Sequence, residues 1–384
     1  MIKRIMKTEC LTGIKKSPVT ALLGPRQCGK TTLAKEILKG FDKSVYLDLE
    51  RPSDLAKLEN AEWYLTQQHG KLVCIDEIQR KPELFPLIRS IVDDNRRMGQ
   101  FLILGSATKE LIRQSSESLA GRITYKTLTP FLLDELGKKI TIEDYLIKGG
   151  FPLSVMAENY KDSIHWREDF ITAYIERDIH QWIGISSVKI RRIIAMLVHY
   201  NGQVINYSAL GNSLGISNTS LKEYTELLAG TFLIDIVRPW TNNAGKRLVK
   251  APKIYFSDTG IANAVLGIEN FDDISGHPAF GSLWETMILA NLRGNFPGAE
   301  IYYYRTSNGA ELDFILVKKS KVIAIECKTN THPVLTKGNY ISISDIKPVK
   351  TFIVAPVKEQ WSHSEKITVA SLNDTITEIG SILG

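Results

Sequence analysis

The stretch GPRQCGKT, Gly24 to Thr31, holds two glycines with four residues between them, then a lysine and a threonine. Glycines let backbone N–H groups close around a phosphate. A lysine in this place reaches the outer phosphates, and a threonine hydroxyl can ligate a divalent cation. The apolar run VTALLG (19–24) precedes the loop and KTTLAKEILKG follows it. The loop therefore joins a predicted strand to a predicted helix, whose first turn adds partial positive charge. Gly24, Pro25, Arg26, Gln27, Cys28, Gly29, Lys30, Thr31 and Thr32 are the candidate nucleotide-binding residues.

Further along, LVCIDE is an apolar strand ending in two carboxylates. Such a pair is common at strand ends, but after a phosphate loop it gains a specific meaning. Asp76 and Thr31 are candidates to hold Mg²⁺, and Glu77 is the candidate base that polarises water. ATP with Mg²⁺ is the expected ligand and phosphoryl hydrolysis the expected chemistry. Ser106 or Thr108, closing FLILGSAT, could read the γ-phosphate or cap a helix starting at KELIRQ. Arg26 and Arg122 are candidates to stabilise transition-state charge; surface arginines are the alternative.

A second group lies near the other end. In KVIAIECKTN, Glu326 and Lys328 share one face of a predicted strand. Asp313 lies on the strand before it, with a turn at KKSK between, so a hairpin brings Asp313 to Glu326. Glu311 shares the face of Asp313, and Glu285 lies on the preceding helix. One reading is a metal-dependent site: Asp313, Glu326 and Glu285 hold a second Mg²⁺ or Mn²⁺, and Lys328 orients or activates water. The other is an ion pair on a half-exposed sheet.

Both groups need elements to position them. Residues 1–130 alternate apolar strands with amphipathic helices, the pattern of a parallel α/β sheet covered on both faces. In KPELFPLIRSIVDDNRRMG, Pro86 is expected to delay the start of the helix. Residues 131–185 read as a helical lid. Residues 186–260 read as three helices and two strands joined by the basic loop TNNAGKRLVK, a winged helix. Its presumed recognition helix offers Asn218 and Lys222 beside Glu223 and Glu226. Lys246, Arg247, Lys250 and Lys253 gather in the wing, so contact with DNA is expected there. A solvated loop is the alternative. Residues 261–384 form a last α/β domain.

Bulk properties fit this layout. The net charge is +6, and residues 1–130 hold 22 Lys and Arg against 15 Asp and Glu, which suits a phosphate-rich ligand. The four cysteines form no CxxC pair, which argues against a disulfide framework or zinc site. No apolar run is long enough to span a bilayer, and the charged N-terminus does not read as a signal peptide. A cytoplasmic protein with no membrane partner is expected.

The motifs GPRQCGKTT, CIDEIQ, LAGR, KGGFP, YIERDI, YFSDTG and RTSNGAELDF…IAIECK occur in this order. Together they resemble bacterial and archaeal AAA-type P-loop ATPases whose C-terminal region is described only as a domain of unknown function. The resemblance spans about residues 15–330. It implies an AAA+-like parallel-sheet domain, a winged helix and a restriction-endonuclease-like C-terminal α/β domain. One departure is Leu104, where the family more often has a polar residue before the GS of the sensor strand. The expected function is an ATP-hydrolysing protein acting on, or regulated by, nucleic acid, with homo-oligomerisation left open. The alternative is a regulatory or signalling ATPase whose last domain is a non-catalytic scaffold.

Overall fold

A computed structural model describes residues 2–105, 115, 117–179, 185–241 and 248–384. Ser106, Thr108, Lys246 and Arg247 lie outside these. The chain divides into two compact units: Met1–Phe131 with Gly230–Phe232, and Leu132–Ala229 with Leu233–Gly384.

The first unit holds a five-stranded sheet: β1 (Val19–Leu23), β2 (Ser44–Asp48), β3 (Leu72–Asp76), β4 (Phe101–Gly105) and β5 (Ile123–Thr127), in the order β2-β3-β4-β1-β5. Every pairing is parallel. β1, β3 and β4 are buried along their whole length. Their alternate residues serve two cores. Ala21, Ile75 and Ile103 pack with Leu84, Phe85, Ile88 and Val92 of the helix Leu84–Asp94. Leu22, Cys74 and Leu102 pack with Met6, Cys10 and Ile14 of Met6–Lys16 and with Leu33 and Ile37 of Lys30–Leu38. The helix starts at Leu84, three residues into the stretch read as helical, and takes in Pro86. Pro86 is the third residue, where the N–H would have no intrahelical acceptor, so the ring costs nothing there.

Because the strands run parallel, their carboxyl ends share one edge of the sheet. β1 runs there into the phosphate loop, and β3 ends there at Asp76. β1 also lies where the order reverses, with β4 on one side and β5 on the other. Open α/β sheets take ligands at such a point.

The second unit holds a nine-stranded sheet. Its strands are β6 (Gln203–Val204), β7 (Ile234–Pro239), β8 (Lys253–Phe256), β9 (Glu300–Arg305), β10 (Glu311–Lys318), β11 (Lys321–Cys327), β12 (Lys350–Val354), β13 (Trp361–Ser364) and β14 (Ile367–Ala370), in the order β13-β14-β12-β11-β10-β9-β7-β8-β6. The helices Ser187–His199, Tyr207–Leu214 and Asn218–Gly230 precede β7. β7 lies parallel to β9, with Arg238 beside Tyr302, and Trp240 N–H donates to the Tyr303 carbonyl at 2.6 Å. The segments 186–260 and 261–384, expected as separate domains, thus share one backbone ladder in a single compact unit.

KGGFP and YFSDTG form a clamp in this unit. Gly150 N–H donates to Asp258 Oδ2 at 2.7 Å, and Asp258 Oδ1 caps the helix Thr259–Leu266 by accepting from Ile261 N–H. Gly149 has φ +72, and a Cβ there would fall 2.1 Å from Asp258 Oδ1. Fully buried Arg167 donates to the Ile147 and Gly260 carbonyls at 3.1 and 2.9 Å. These motif residues tie helices together.

Candidate functional site

The loop after β1 is shaped by its glycines. A Cβ on Gly24 would fall 2.3 Å from the Leu128 carbonyl oxygen. Gly29 takes φ +99 as it caps the helix Lys30–Leu38, a conformation that costs other residues energy. Lys30 is buried, and its Nζ donates to the carbonyls of Gly24 and Pro25 at 3.0 and 2.8 Å. Cys28 is buried beneath the loop, whereas Arg26, Gln27 and Thr32 are exposed. Arg4 braces the loop: it donates to the Cys28 carbonyl at 3.1 Å and the Thr129 carbonyl at 2.5 Å, and its guanidinium lies 4.5 Å from the Phe131 ring centroid. Nothing local in MIKRIMK marks Arg4 for this role. Its partners are distant in sequence.

At the end of β3, Asp76 Oδ2 accepts from Thr31 Oγ1 at 2.6 Å and from the Tyr46 hydroxyl at 2.7 Å. Burial, followed by this bond to Asp76, raises the Tyr46 pKa. Tyr46 is a second residue missed in the sequence. Parallel pairing of Tyr46 with Cys74, two residues before Asp76, is the signal that could have found it. Glu77 takes a left-handed φ of 57° and accepts from Gln79. Burial raises the Glu77 pKa, against the opposing charge of Lys30. A raised carboxyl pKa suits a general base.

This donor set fits Mg²⁺ bound with a nucleotide: one carboxylate and one hydroxyl already in contact, beside a lysine and a loop of backbone amides. Arg122 is not brought to it. Its backbone carbonyl accepts from Val19 N–H at 3.0 Å, which places it at the amino end of β1 and β5. The phosphate loop leaves the carboxyl end. The Arg122 side chain makes a bidentate pair with Asp93, at 2.6 and 2.9 Å. The candidate role of Arg122 in stabilising transition-state charge has no geometric basis within this unit.

The second group comes together as well. The hairpin register Phe314↔Ile325 runs on to place Asp313 opposite Glu326. Asp313 Oδ2 accepts from Cys327 N–H at 2.8 Å. Lys328 Nζ donates to Glu326 Oε1 at 2.7 Å, and the Tyr255 hydroxyl donates to Glu285 Oε2 at 2.6 Å. Burial first, then the charge of Asp313, pushes both Glu285 and Glu326 up to about 8. Asp313 is raised by burial, with Lys253 opposing.

Lys253 corrects the sequence reading. It does not belong to an exposed wing. It is the first residue of β8, 3% exposed, with Nζ 2.7 Å from Glu311 Oε1 and 3.9 Å from Asp313 Oδ1. Burial alone would lower its pKa, but the charges of Glu285, Asp313 and Glu311 outweigh burial and raise it. Lys250 is exposed, as expected. Lys253 pairs with Glu311 and approaches Asp313, Lys328 holds one oxygen of Glu326, and the Tyr255 hydroxyl holds Glu285. Among the described residues, no group of three or more His, Cys, Asp or Glu is disposed to hold a metal ion. The group as it stands does not fit the second Mg²⁺ or Mn²⁺.

No helix among the described residues is long and apolar enough to cross a membrane. Residues 16–137 match the model of an AAA domain. Residues 139–272 and 280–374 match two domains of unknown function, DUF8612 and DUF4143. The chain is 34% identical over 370 residues to "Uncharacterized protein Rv2008c" of Mycobacterium tuberculosis, covering 96% of this chain and 83% of that one. It matches "Uncharacterized protein Mb2031c" of Mycobacterium bovis to the same extent. Among solved structures, the Walker-type ATPase PABY2304 of Pyrococcus abyssi aligns with a TM-score of 0.49 at 15% identity, over 69% of this chain and 96% of that one. On the strength of 34% identity to the mycobacterial proteins along nearly its whole length, this chain belongs to their family, and its N-terminal third is an AAA-type P-loop ATPase domain.

Proposed function

We propose that this chain is an ATP-driven switch that binds ATP–Mg²⁺ in the loop after β1 and hydrolyses it with Glu77 as base. The observation that carries the reading is the Thr31–Asp76 contact at 2.6 Å, beside Lys30 at the mouth of the loop. Lys30 exchanges the Gly24 and Pro25 carbonyls for the outer phosphates. The amides around Gly29 and the first turn of Lys30–Leu38 hold the remaining phosphate oxygens. Thr31 and Asp76 would hold the Mg²⁺, which would neutralise phosphate charge. Glu77, freed from Gln79, orients the attacking water and accepts its proton. Arg26 is exposed on the loop, where it can approach a phosphate.

The helices at 187–199, 207–214 and 218–230, followed by antiparallel β7 and β8 with β6 beside β8, support reading residues 186–260 as a winged helix. Asn218 and Lys222 are exposed on its third helix. The β9–β11 hairpins with Asp313, Glu326 and Lys328 support reading the last segment as an endonuclease-like fold. The lysine pairing of its carboxylates favours a non-catalytic scaffold over a working nuclease.

The test is calorimetric titration with ATP and ADP, together with phosphate release with and without Mg²⁺ and with and without DNA. Micromolar ATP binding with Mg²⁺-dependent turnover is expected. Absence of nucleotide binding overturns the switch. Absence of both DNA binding and DNA stimulation overturns the nucleic-acid part alone.

A further inference from the structure

Buried and half-buried cations and carboxylates gather on the sheet around β8, β10 and β11. Lys253 is contributed by β8, at the start of the ladder with β7. The carboxylates come from elsewhere: Glu311 and Asp313 on β10, Glu326 on β11, and Glu285 on the helix Phe280–Asn295. Lys253 reaches the Glu311 carboxylate at 2.7 Å and that of Asp313 at 3.9 Å. Its Nζ also lies 5.5 Å from the Tyr303 ring centroid. Arg305 approaches the other Glu311 oxygen at 3.5 Å. Glu326 is 5% exposed, and Lys328 holds only its Oε1. Its Oε2 is buried without a hydrogen-bond donor in bonding geometry, although Asn339 approaches the same carboxylate.

A buried carboxylate oxygen with no donor is costly. Several carboxylates converging in one place call for positive charge, and a divalent cation or an ammonium can supply it. An ammonium has three donors and one charge. It satisfies fewer oxygens than a divalent cation, which takes six or more oxygen ligands. The oxygen left without a donor lies on Glu326, whose other oxygen Lys328 holds.

We propose that Lys253 is a tethered cation that fills the divalent-cation position of this acidic cluster, and that removing its ammonium opens the cluster to Mg²⁺ or Mn²⁺. The cluster is then a latched site. Its state depends on where β8 holds one side chain.

The test uses the full chain without nucleotide and in a Lys30→Ala background, so that its outcome does not depend on the nucleotide site. Mn²⁺ is titrated to about 1 mM, the weak end of divalent sites in proteins, and free Mn²⁺ is read by electron paramagnetic resonance. With Lys253 intact, no Mn²⁺ binding that depends on Asp313 is expected. Lys253→Met keeps the buried stem and removes the charge. That variant should bind one Mn²⁺ at least tenfold more tightly, and adding Asp313→Asn should abolish the gain. Thermal unfolding confirms that each variant is folded. If Lys253→Met fails to fold, Lys253→Met with Glu311→Gln removes both halves of the closest pair and takes its place. Two results overturn the proposal: Asp313-dependent Mn²⁺ binding with Lys253 in place, or a folded Lys253 variant that binds none.

Discussion

Thr31 donates its hydroxyl hydrogen to Asp76 Oδ2 at 2.6 Å, joining the first turn after the phosphate loop to the end of β3. Neither residue is free to wander. Tyr46 holds the same carboxylate oxygen at 2.7 Å, and Glu77 N–H holds the other at 3.0 Å. The pair proposed to hold Mg²⁺ is therefore set before any ligand arrives, which lowers the ordering cost of binding.

Lys30→Ala should weaken ATP binding by about tenfold to a hundredfold or more, the loss of one or two charge-assisted hydrogen bonds. Asp76→Asn should leave nucleotide binding without Mg²⁺ nearly unchanged and remove the strengthening by Mg²⁺. Isothermal titration with and without the metal separates the two effects. Undiminished ATP affinity in Lys30→Ala would remove the loop from the site.

Glu77→Gln should bind ATP normally and turn over roughly a hundredfold more slowly, a typical general-base contribution. The pH dependence carries a sign. A base must be deprotonated to act, and burial raises the Glu77 pKa above its usual 4.5. Turnover should fall on acidification at a pH above the ordinary carboxylate range, and this limb should vanish in Glu77→Gln. A rate–pH profile with an unshifted acidic limb contradicts the assignment.

Arg4 and Arg122 should part company. Arg4→Ala strips donors from the carbonyls of Cys28, Thr129 and Pro130. It should destabilise the first unit by roughly 2–4 kcal/mol and weaken nucleotide binding with it. Arg122→Ala breaks a pair with Asp93 at the far edge of the sheet, and turnover should stay within about twofold of the parent. A large loss of turnover with unchanged stability in Arg122→Ala would show that Arg122 reaches a nucleotide by a route outside its own unit.

Much of the ATPase unit was legible because its signals are local. Apolar runs marked β1, β3 and β4 nearly to the residue, and the loop and the carboxylates at the end of β3 declared their chemistry by type and spacing. Arg4 and Tyr46 were not legible in this way, since their roles exist only through partners remote in sequence. Lys253 was misread for the opposite reason. Its neighbours Lys246, Arg247 and Lys250 suggested an exposed basic wing for DNA, and only the pairing of β8 shows that the chain has turned inward by residue 253. The hairpin bringing Asp313 to Glu326 was readable from its length. The lysine between the carboxylates was not.

Glu285 and Glu326 give the second unit a pH-dependent stability. Both are pushed up to about 8 in the folded chain, against about 4.3 when unfolded. Between those values the folded chain keeps protons that the unfolded chain releases, so stability is fully present below about 4.3 and is lost as pH rises towards 8. The unfolding midpoint should therefore fall over this window. Glu285→Gln should flatten part of the slope and raise the midpoint at pH 8, by roughly 2–4 °C for each kcal/mol recovered. A midpoint that rises from pH 5 to pH 8 refutes the buried, proton-holding state.

Gly149→Ala should disrupt the second unit from a distance. Its Cβ would meet Asp258 Oδ1 at 2.1 Å from a left-handed backbone. The carboxylate would have to move, giving up Gly150 N–H and the cap on Thr259–Leu266. A loss on the order of 3 kcal/mol or more is expected by chemical denaturation, with ATP affinity unchanged. An unaltered denaturation midpoint would show that the clamp yields without strain.

The ladder from β7 to β9 has a practical consequence for anyone taking scissors to this gene. A fragment beginning at residue 261 would strip β7 from β9, leaving that edge of β9 bare to any passing chain. It would also discard Lys253 while keeping the carboxylates that it neutralises. Such a fragment should aggregate on expression, because uncovered strand edges recruit one another. A cut near residue 131 leaves the nine-stranded sheet whole, and is the one to choose for producing the C-terminal two-thirds by itself.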